Sequence, residues 1–189
     1  MKELVRIARE TVERVFQEGR LTIKNYEKFK EKRGVFVTIM IYPAKELRGC
    51  IGFPQPIYPL EEATQRAAYA AAFEDTRFPP LKKEELSKII FEVSVLTLPK
   101  LIEVKKPEEY LRKIEIGKDG LIIQLGWHTG LLLPQVATEF KWNVEEFLQN
   151  LCMKAGLTPD IWIDPQAKIY KFQAKIFREV EPKGEIEEA

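Results

Sequence analysis

The feature that most constrains the fold is the apolar run at residues 35–42, Val-Phe-Val-Thr-Ile-Met-Ile-Tyr. β-Branched and aromatic side chains are enriched in strands, and this run contains little else. Successive side chains of a strand point to opposite faces. Apolar residues at both odd and even positions therefore indicate a strand whose two faces are both covered. The run therefore predicts the central strand of a sheet.

A second strand-like stretch follows at residues 46–53, Glu-Leu-Arg-Gly-Cys-Ile-Gly-Phe, and it is expected to pair with the first as a hairpin. Alternation places Arg48, Cys50 and Gly52 on one face of this strand and Gly49 on the other. The guanidinium and the thiol are therefore expected to project the same way, beside the space that a glycine leaves.

The remaining helices and strands are predicted from the spacing of apolar residues along the chain. An amphipathic helix is predicted to end near Gly19, and a slim alanine-rich helix to begin near Leu60, where small side chains allow close packing on a sheet. The other predicted elements are strands at 89–97, 120–125, 131–133 and 169–177, a turn at 126–130, and helices at 134–142 and 144–155.

These elements indicate an α/β (α+β) protein in which a hairpin, helix and strand occur twice, at residues 35–97 and 120–177. Two such units within a single domain of residues 1–189 predict two lobes with a cleft between them, which is a common position for a site. Residues 179–189 are expected to form a frayed acidic tail.

Composition excludes several classes of function. The chain has 30 Lys and Arg residues against 29 Asp and Glu residues, so no net field favours nucleic acid or a membrane. Two distant cysteines and one histidine predict neither a disulfide framework nor a metal site, and no cofactor is indicated. No apolar run is long enough to cross a bilayer, and a reducing cytoplasm is the expected compartment. The many Lys and Glu residues are typical of heat-adapted proteins.

The candidate catalytic residues are Cys50 and Glu92. A thiol becomes nucleophilic when nearby positive charge lowers its pKa, and Arg48 on the same face is expected to do this. Glu92 suits proton transfer if it is partly desolvated. Two alternatives stay open: Cys50 packs as a small apolar residue, and Glu92 forms a buried ion pair with an arginine.

The candidate ligand-binding residues are polar residues and glycines on or near the same strands, together with one residue at a later helix start: Arg48, Gly49, Gly52, Thr38, Asp75, Arg77, Ser94 and Gln135. Arginine binds anionic groups, and glycine lets a ligand approach the backbone. Several have a structural alternative: an ion pair for Arg48 with Glu92 or Asp75, turn stabilisation for Asp75 and Arg77, simple packing for Thr38, or helix-start duty for Gln135.

With these stretches laid out, the chain resembles the AMMECR family. The hallmark of the resemblance is Leu-Arg-Gly-Cys-Ile-Gly at residues 47–52, and five further segments run in the family's order: 34–38, 75–80, 92–97, 132–137 and 154–157. The resemblance implies an α/β protein of two lobes with the hallmark near the groove between them. It also implies a link to Memo-type dioxygenase-like proteins and to radical-SAM enzymes, and no established biochemical activity.

Three hypotheses for function follow. The first is a thiol-dependent group-transfer enzyme that uses Cys50, the second is a binding module for a small molecule, peptide or nucleotide, and the third is a scaffold for a Memo-like or radical-SAM partner. The hallmark lacks a clear acid–base pair, so the sequence favours binding or scaffolding over catalysis.

Overall fold

The structure is a computed structural model that describes residues 1–189, and it divides into two compact units. The first unit comprises residues 1–96 and 175–189, and the second comprises residues 97–174. These bounds give the N-terminal helix and the C-terminal residues to the first unit. The mixed α/β class is confirmed, with one antiparallel sheet in each unit. The repeat, the cleft and the single-domain description stay predictions.

The first unit contains two helices and five strands: α1 (Glu3–Glu18), β1 (Val35–Ile41), β2 (Glu46–Phe53), α2 (Leu60–Phe73), β3 (Ile89–Leu96), and, after the second unit, β8 (Ala174–Glu179) and β9 (Ile186–Glu188). A 3₁₀ turn at Lys83–Lys88 leads into β3. The strands are ordered β2-β1-β3-β8-β9, so β1 has a neighbour on each side, as its sequence predicts.

One face of this sheet forms the core with both helices. Val35, Val37 and Ile39 of β1 are fully buried, and they cluster with side chains of α1 and α2. The alanines of α2 allow that helix to lie close to β1 and β2. Helix α1 ends as predicted, because Gly19 takes the left-handed conformation with φ 73° and its N–H bonds the Val15 carbonyl.

The second unit has its own sheet, ordered β4-β7-β5-β6. Its elements in chain order are β4 (Lys100–Leu101), α3 (Tyr110–Lys113), β5 (Gly120–Leu125), β6 (His128–Leu132), α4 (Pro134–Glu139), α5 (Val144–Lys154) and β7 (Lys168–Phe172), with 3₁₀ turns at Pro107–Glu109 and Ile161–Ile163. Its core includes Phe147, Leu148 and Leu151 of α5, all fully buried.

Three expectations differ from the structure. The strand expected at 169–177 is two strands, β7 and β8, which separate at Gln173 and belong to different sheets. The turn expected at 126–130 is shorter, so His128 begins β6. The tail expected to be frayed at 179–189 contains β9, which pairs with β8 and buries Ile186 in the core. Ile186 is the only apolar residue of β9, and one apolar residue among acidic ones is too weak a signal to predict a strand.

No helix of the protein combines the length and apolar character that a membrane crossing requires.

Candidate functional site

A line of polar side chains crosses the sheet of the first unit on the face opposite the helices. Thr38 on β1 lies opposite Cys50 on one side and opposite Glu92 on the other. Arg178 on β8 extends the line, because its Nη1 donates to Glu92 Oε2 at 3.4 Å. These four side chains, called the polar row below, are all half-buried. The structure thus brings together three residues that the sequence singled out.

The thiol of Cys50 is close to a donor but has little nucleophilic character. The Thr38 hydroxyl donates to Cys50 Sγ at 3.3 Å. Burial raises the pKa of the Cys50 thiol, and this outweighs the opposing effects of the Thr38 hydrogen bond and the Arg77 charge. At neutral pH the thiol form is therefore favoured.

Asp75 and Arg77 close the edge of the sheet at Cys50. Because β2 is an outer strand, the backbone of Cys50 has no further strand to bond. Asp75 Oδ2 accepts the Cys50 N–H at 2.9 Å, and Arg77 Nη2 donates to the Cys50 carbonyl at 3.1 Å. The two side chains also pair with each other at 2.8 Å. The Arg77 hydrogen bond holds the pKa of Asp75 well below its usual range.

Arg48 does not share a face with Cys50, and the expectation that it activates the thiol is wrong. The pairing of β1 with β2 shifts register between Ile39 and Met40, so Gly49 lies opposite Ile39 while Leu47 lies opposite Met40. One extra residue in a strand turns side chains away from simple alternation. Arg48 is 7% exposed and bonds both oxygens of Glu85, at 2.8 and 3.2 Å, rather than Glu92 or Asp75.

The two glycines of the hallmark serve packing rather than ligand approach. A Cβ at Gly49 would lie 2.1 Å from the Ala71 carbonyl oxygen, so this glycine lets α2 rest on β2. A Cβ at Gly52 would lie 2.4 Å from the ring of Phe36, which covers that position. The space expected for a ligand beside these glycines is therefore occupied by the protein itself.

The remaining candidates lie elsewhere. Ser94 is half-buried on β3, two residues from Glu92 and hence on the same face. Gln135 is exposed on α4 in the second unit. His128 Nδ1 lies 3.1 Å from the Ala155 carbonyl oxygen. No cluster of three or more His, Cys, Asp or Glu residues able to hold a metal is present.

Sequence reasoning missed Arg178, which completes the polar row, and it missed the buried pair of Arg9 and Glu179. Arg178 Nε is buried without a hydrogen-bond partner. Burial raises the pKa of the Glu92 carboxyl, and the positive charges of Arg178 and Lys45 oppose this only in part. The sequence signal for both is weak. Arg178 and Glu179 are charged residues at the end of an apolar strand, and no local pattern identifies their partners.

The fold and this arrangement define a two-unit α/β protein with a half-buried polar row on one sheet. The chain belongs to the AMMECR1 family, whose model matches residues 5–177. The family that the sequence motifs indicated is thereby confirmed.

Similar proteins come from archaea. The chain is 56% identical over 183 residues to Protein MJ0810 of Methanocaldococcus jannaschii, with 96% of this chain and 91% of that protein covered. It is 55% identical over 190 residues to a protein of Thermococcus onnurineus, with 97% and 92% covered. A solved structure is also similar: the crystal structure of uncharacterized protein PH0010 from Pyrococcus horikoshii matches with a TM-score of 0.81 and 50% sequence identity. The match covers 100% of this chain and 95% of that chain. The names of these three relatives state no activity.

Alkylation by iodoacetamide at pH 7.5 is expected to be at least about tenfold slower at Cys50 than at the same residue in the urea-unfolded chain. Half-burial restricts access, and the raised pKa of Cys50 leaves less thiolate at this pH. Mass spectrometry of the labelled peptides measures the rate at each cysteine, and Cys50→Ser gives the background from the buried Cys152. A native rate above that of the unfolded chain would contradict this prediction and favour a nucleophilic Cys50.

Proposed function

We propose that this protein is a binding protein whose polar row recognises an amide-bearing ligand or partner. The observation that carries the proposal is the pair formed by Glu92 and Arg178, which has a half-buried carboxylate beside a buried donor without a partner, Arg178 Nε. Buried polar groups without partners are rare, and they mark positions that a ligand or water completes.

The chemistry of the row fits an amide group. An amide presents a carbonyl acceptor and an N–H donor side by side, and the row has an unpartnered donor at Arg178 Nε, buried from solvent in the free protein, and an acceptor at Glu92. The Arg178 guanidinium pairs with Glu187 at 2.9 Å as well as with Glu92 at 3.4 Å, so it carries no uncompensated positive charge that would favour an anionic ligand. The edge of β2 is closed at Cys50 by Asp75 and Arg77, which argues against a peptide that adds as a further strand there.

Glu92 supports the proposal through its effect on stability. Its folded-state pKa is raised, so the folded protein holds this proton more tightly than the unfolded chain does. Ionising Glu92 therefore costs stability at pH values above its folded pKa, and the cost disappears below the unfolded value of about 4.3. A carboxylate kept where it is destabilising is typical of functional sites.

Binding is tested by titrating a neutral capped dipeptide, acetyl-glycylglycinamide, into the ¹⁵N-labelled protein. We expect chemical-shift changes at Thr38, Glu92 and the Arg178 Nε–H. The matched ester analogue, which lacks the central N–H, should bind at least about fivefold more weakly, because it leaves the Glu92 carboxylate without a donor. Shifts of equal size with both compounds, or none at the polar row, would contradict the proposal.

Glu92→Gln is expected to weaken dipeptide binding while leaving the protein at least as stable as wild type at pH 7.5. Its stabilising effect should vanish near pH 3, well below the unfolded pKa of about 4.3, where Glu92 is protonated in both states. Thermal unfolding at the two pH values measures this. The matched control is Glu62→Gln, which removes a carboxylate from the Glu62–Arg66 pair on α2, away from the polar row. A Glu92→Gln variant that is less stable at pH 7.5 would make Glu92 a structural partner of Arg178.

A further inference from the structure

The second unit contains a cavity of about 510 Å³ that involves none of the residues of the polar row. Its walls come from the segment between β4 and α3 and from the segment between α5 and β7, and they include Ile102, Val104 and Ala167. This volume falls within the range of about 300–1,000 Å³ that small-molecule sites occupy. The cavity is therefore large enough for a compact organic ligand.

Two largely buried aromatic residues that each carry a polar group line this cavity. Tyr110 is 6% exposed and Trp162 is 8% exposed, and both line it. Their rings meet edge to face, with centroids 6.5 Å apart and planes at 73°. Burial alone raises the pKa of the Tyr110 hydroxyl, with no hydrogen bond contributing. The Trp162 indole N–H likewise makes no hydrogen bond within the chain.

Both of these groups are hydrogen-bond donors on otherwise apolar rings. Neither the Tyr110 hydroxyl nor the Trp162 indole N–H is among the buried polar atoms that lack a partner, so both remain within reach of solvent or of a ligand. A ligand with a hydrogen-bond acceptor could accept from the Tyr110 hydroxyl or the Trp162 N–H. The rest of the ligand would pack on the apolar part of the wall. An aromatic ring system suits the wall formed by Tyr110 and Trp162, because edge-to-face contacts favour a further ring.

The charged residues at the cavity give no preference for an ionic ligand. Lys105 and Lys106 line it, and so do Glu103 and Asp164, so the formal charges balance. Asp164 is also engaged locally, because its Oδ1 accepts the Gln166 N–H at 2.8 Å. We propose that this cavity binds a small, neutral, planar aromatic ligand that carries a hydrogen-bond acceptor.

The experiment uses quinoline, a planar bicycle with one acceptor nitrogen, and the ¹⁵N-labelled full chain. A ligand of about ten non-hydrogen atoms is expected to bind with a Kd on the order of 1 mM. Quinoline should shift the indole N–H resonance of Trp162, assigned with Trp162→Phe, and leave that of Trp127 unchanged. Trp127 is fully exposed in the β5–β6 turn, so it reports non-specific adsorption in the same sample.

Naphthalene has the same shape without the acceptor, and it should bind at least about threefold more weakly than quinoline in ligand-observed NMR. Tyr110→Phe keeps the ring and removes the hydroxyl, and it should reduce quinoline affinity about threefold to tenfold while leaving naphthalene affinity unchanged. Ala167→Leu, which fills the cavity, should abolish the Trp162 shift.

Two results would overturn the proposal. One is an unchanged Trp162 indole resonance at about ten times the expected Kd. The other is an equal response of Trp162 and Trp127, which would indicate adsorption of the ligand to exposed rings. Neither result bears on the dipeptide experiment at the polar row, which uses a different ligand and different resonances.

Discussion

Replacing Arg9 with Met is expected to lower the free energy of unfolding by about 3–5 kcal/mol. Arg9 on α1 is 5% exposed and Glu179 on β8 is 3% exposed, and they meet in two hydrogen bonds of 2.6 and 2.7 Å. Removing the guanidinium leaves a buried carboxylate without its counter-charge. Equilibrium urea denaturation measures the loss, and the midpoint is expected to fall without a change in slope.

The pair also connects α1, the 3₁₀ turn at Lys83–Lys88, β3 and β8 of the first unit. The Arg9 guanidinium donates to the carbonyls of Leu86 and Ile89, while Glu179 Oε2 accepts the Phe91 N–H at 3.0 Å. The double variant Arg9→Met/Glu179→Leu should therefore recover only part of the loss, because these backbone groups stay unpaired.

The matched control for Arg9 is Arg66→Met, which breaks the Arg66–Glu62 pair on α2. Both residues of that pair are partly exposed, so the expected loss is below about 1 kcal/mol. An Arg9→Met loss as small as that of Arg66→Met would contradict the structural role assigned to the buried pair.

The elements that the sequence predicted well are those with a clear local pattern. The run at 35–42 predicts a central strand, and β1 has a hydrogen-bonded neighbour on each side within its sheet. Its apolar residues on both faces also predict cover on both, but the face with Phe36 and Thr38 is only half-buried. The alanines after Leu60 predict a slim helix, and α2 packs so closely that Gly49 touches its backbone. Periodicity and residue size are properties of the segment itself, and so they can be read without knowing the partner.

The errors come from places where a single residue or a distant partner decides the geometry. Strict alternation along β2 predicts Arg48 beside Cys50, but one register shift in the pairing is enough to direct Arg48 to Glu85 instead. Arg9 and Glu179 are separated by 170 positions, so no local pattern links them. Thr38, Cys50 and Glu92 were identified as polar residues, but only the pairing register aligns them across three strands.

Gly49→Ala is expected to destabilise the protein by at least about 3 kcal/mol. Its new Cβ would lie 2.1 Å from the Ala71 carbonyl oxygen and 3.1 Å from the Ala71 carbonyl carbon, both of which are backbone atoms. Backbone cannot rotate aside as a side chain does, so α2 must move away from β2. Moving a helix off a tightly packed sheet costs more than the roughly 1–3 kcal/mol typical of an added methylene.

The identity of the clashing atom gives this prediction a sharp control. Because the obstacle is the Ala71 main chain, the double variant Gly49→Ala/Ala71→Gly should not recover stability and should lose about 1 kcal/mol more within α2. Urea denaturation measures both variants. If Ala71→Gly rescued Gly49→Ala, the contact would lie at the Ala71 side chain, and the close approach of α2 to the hallmark strand would be wrong.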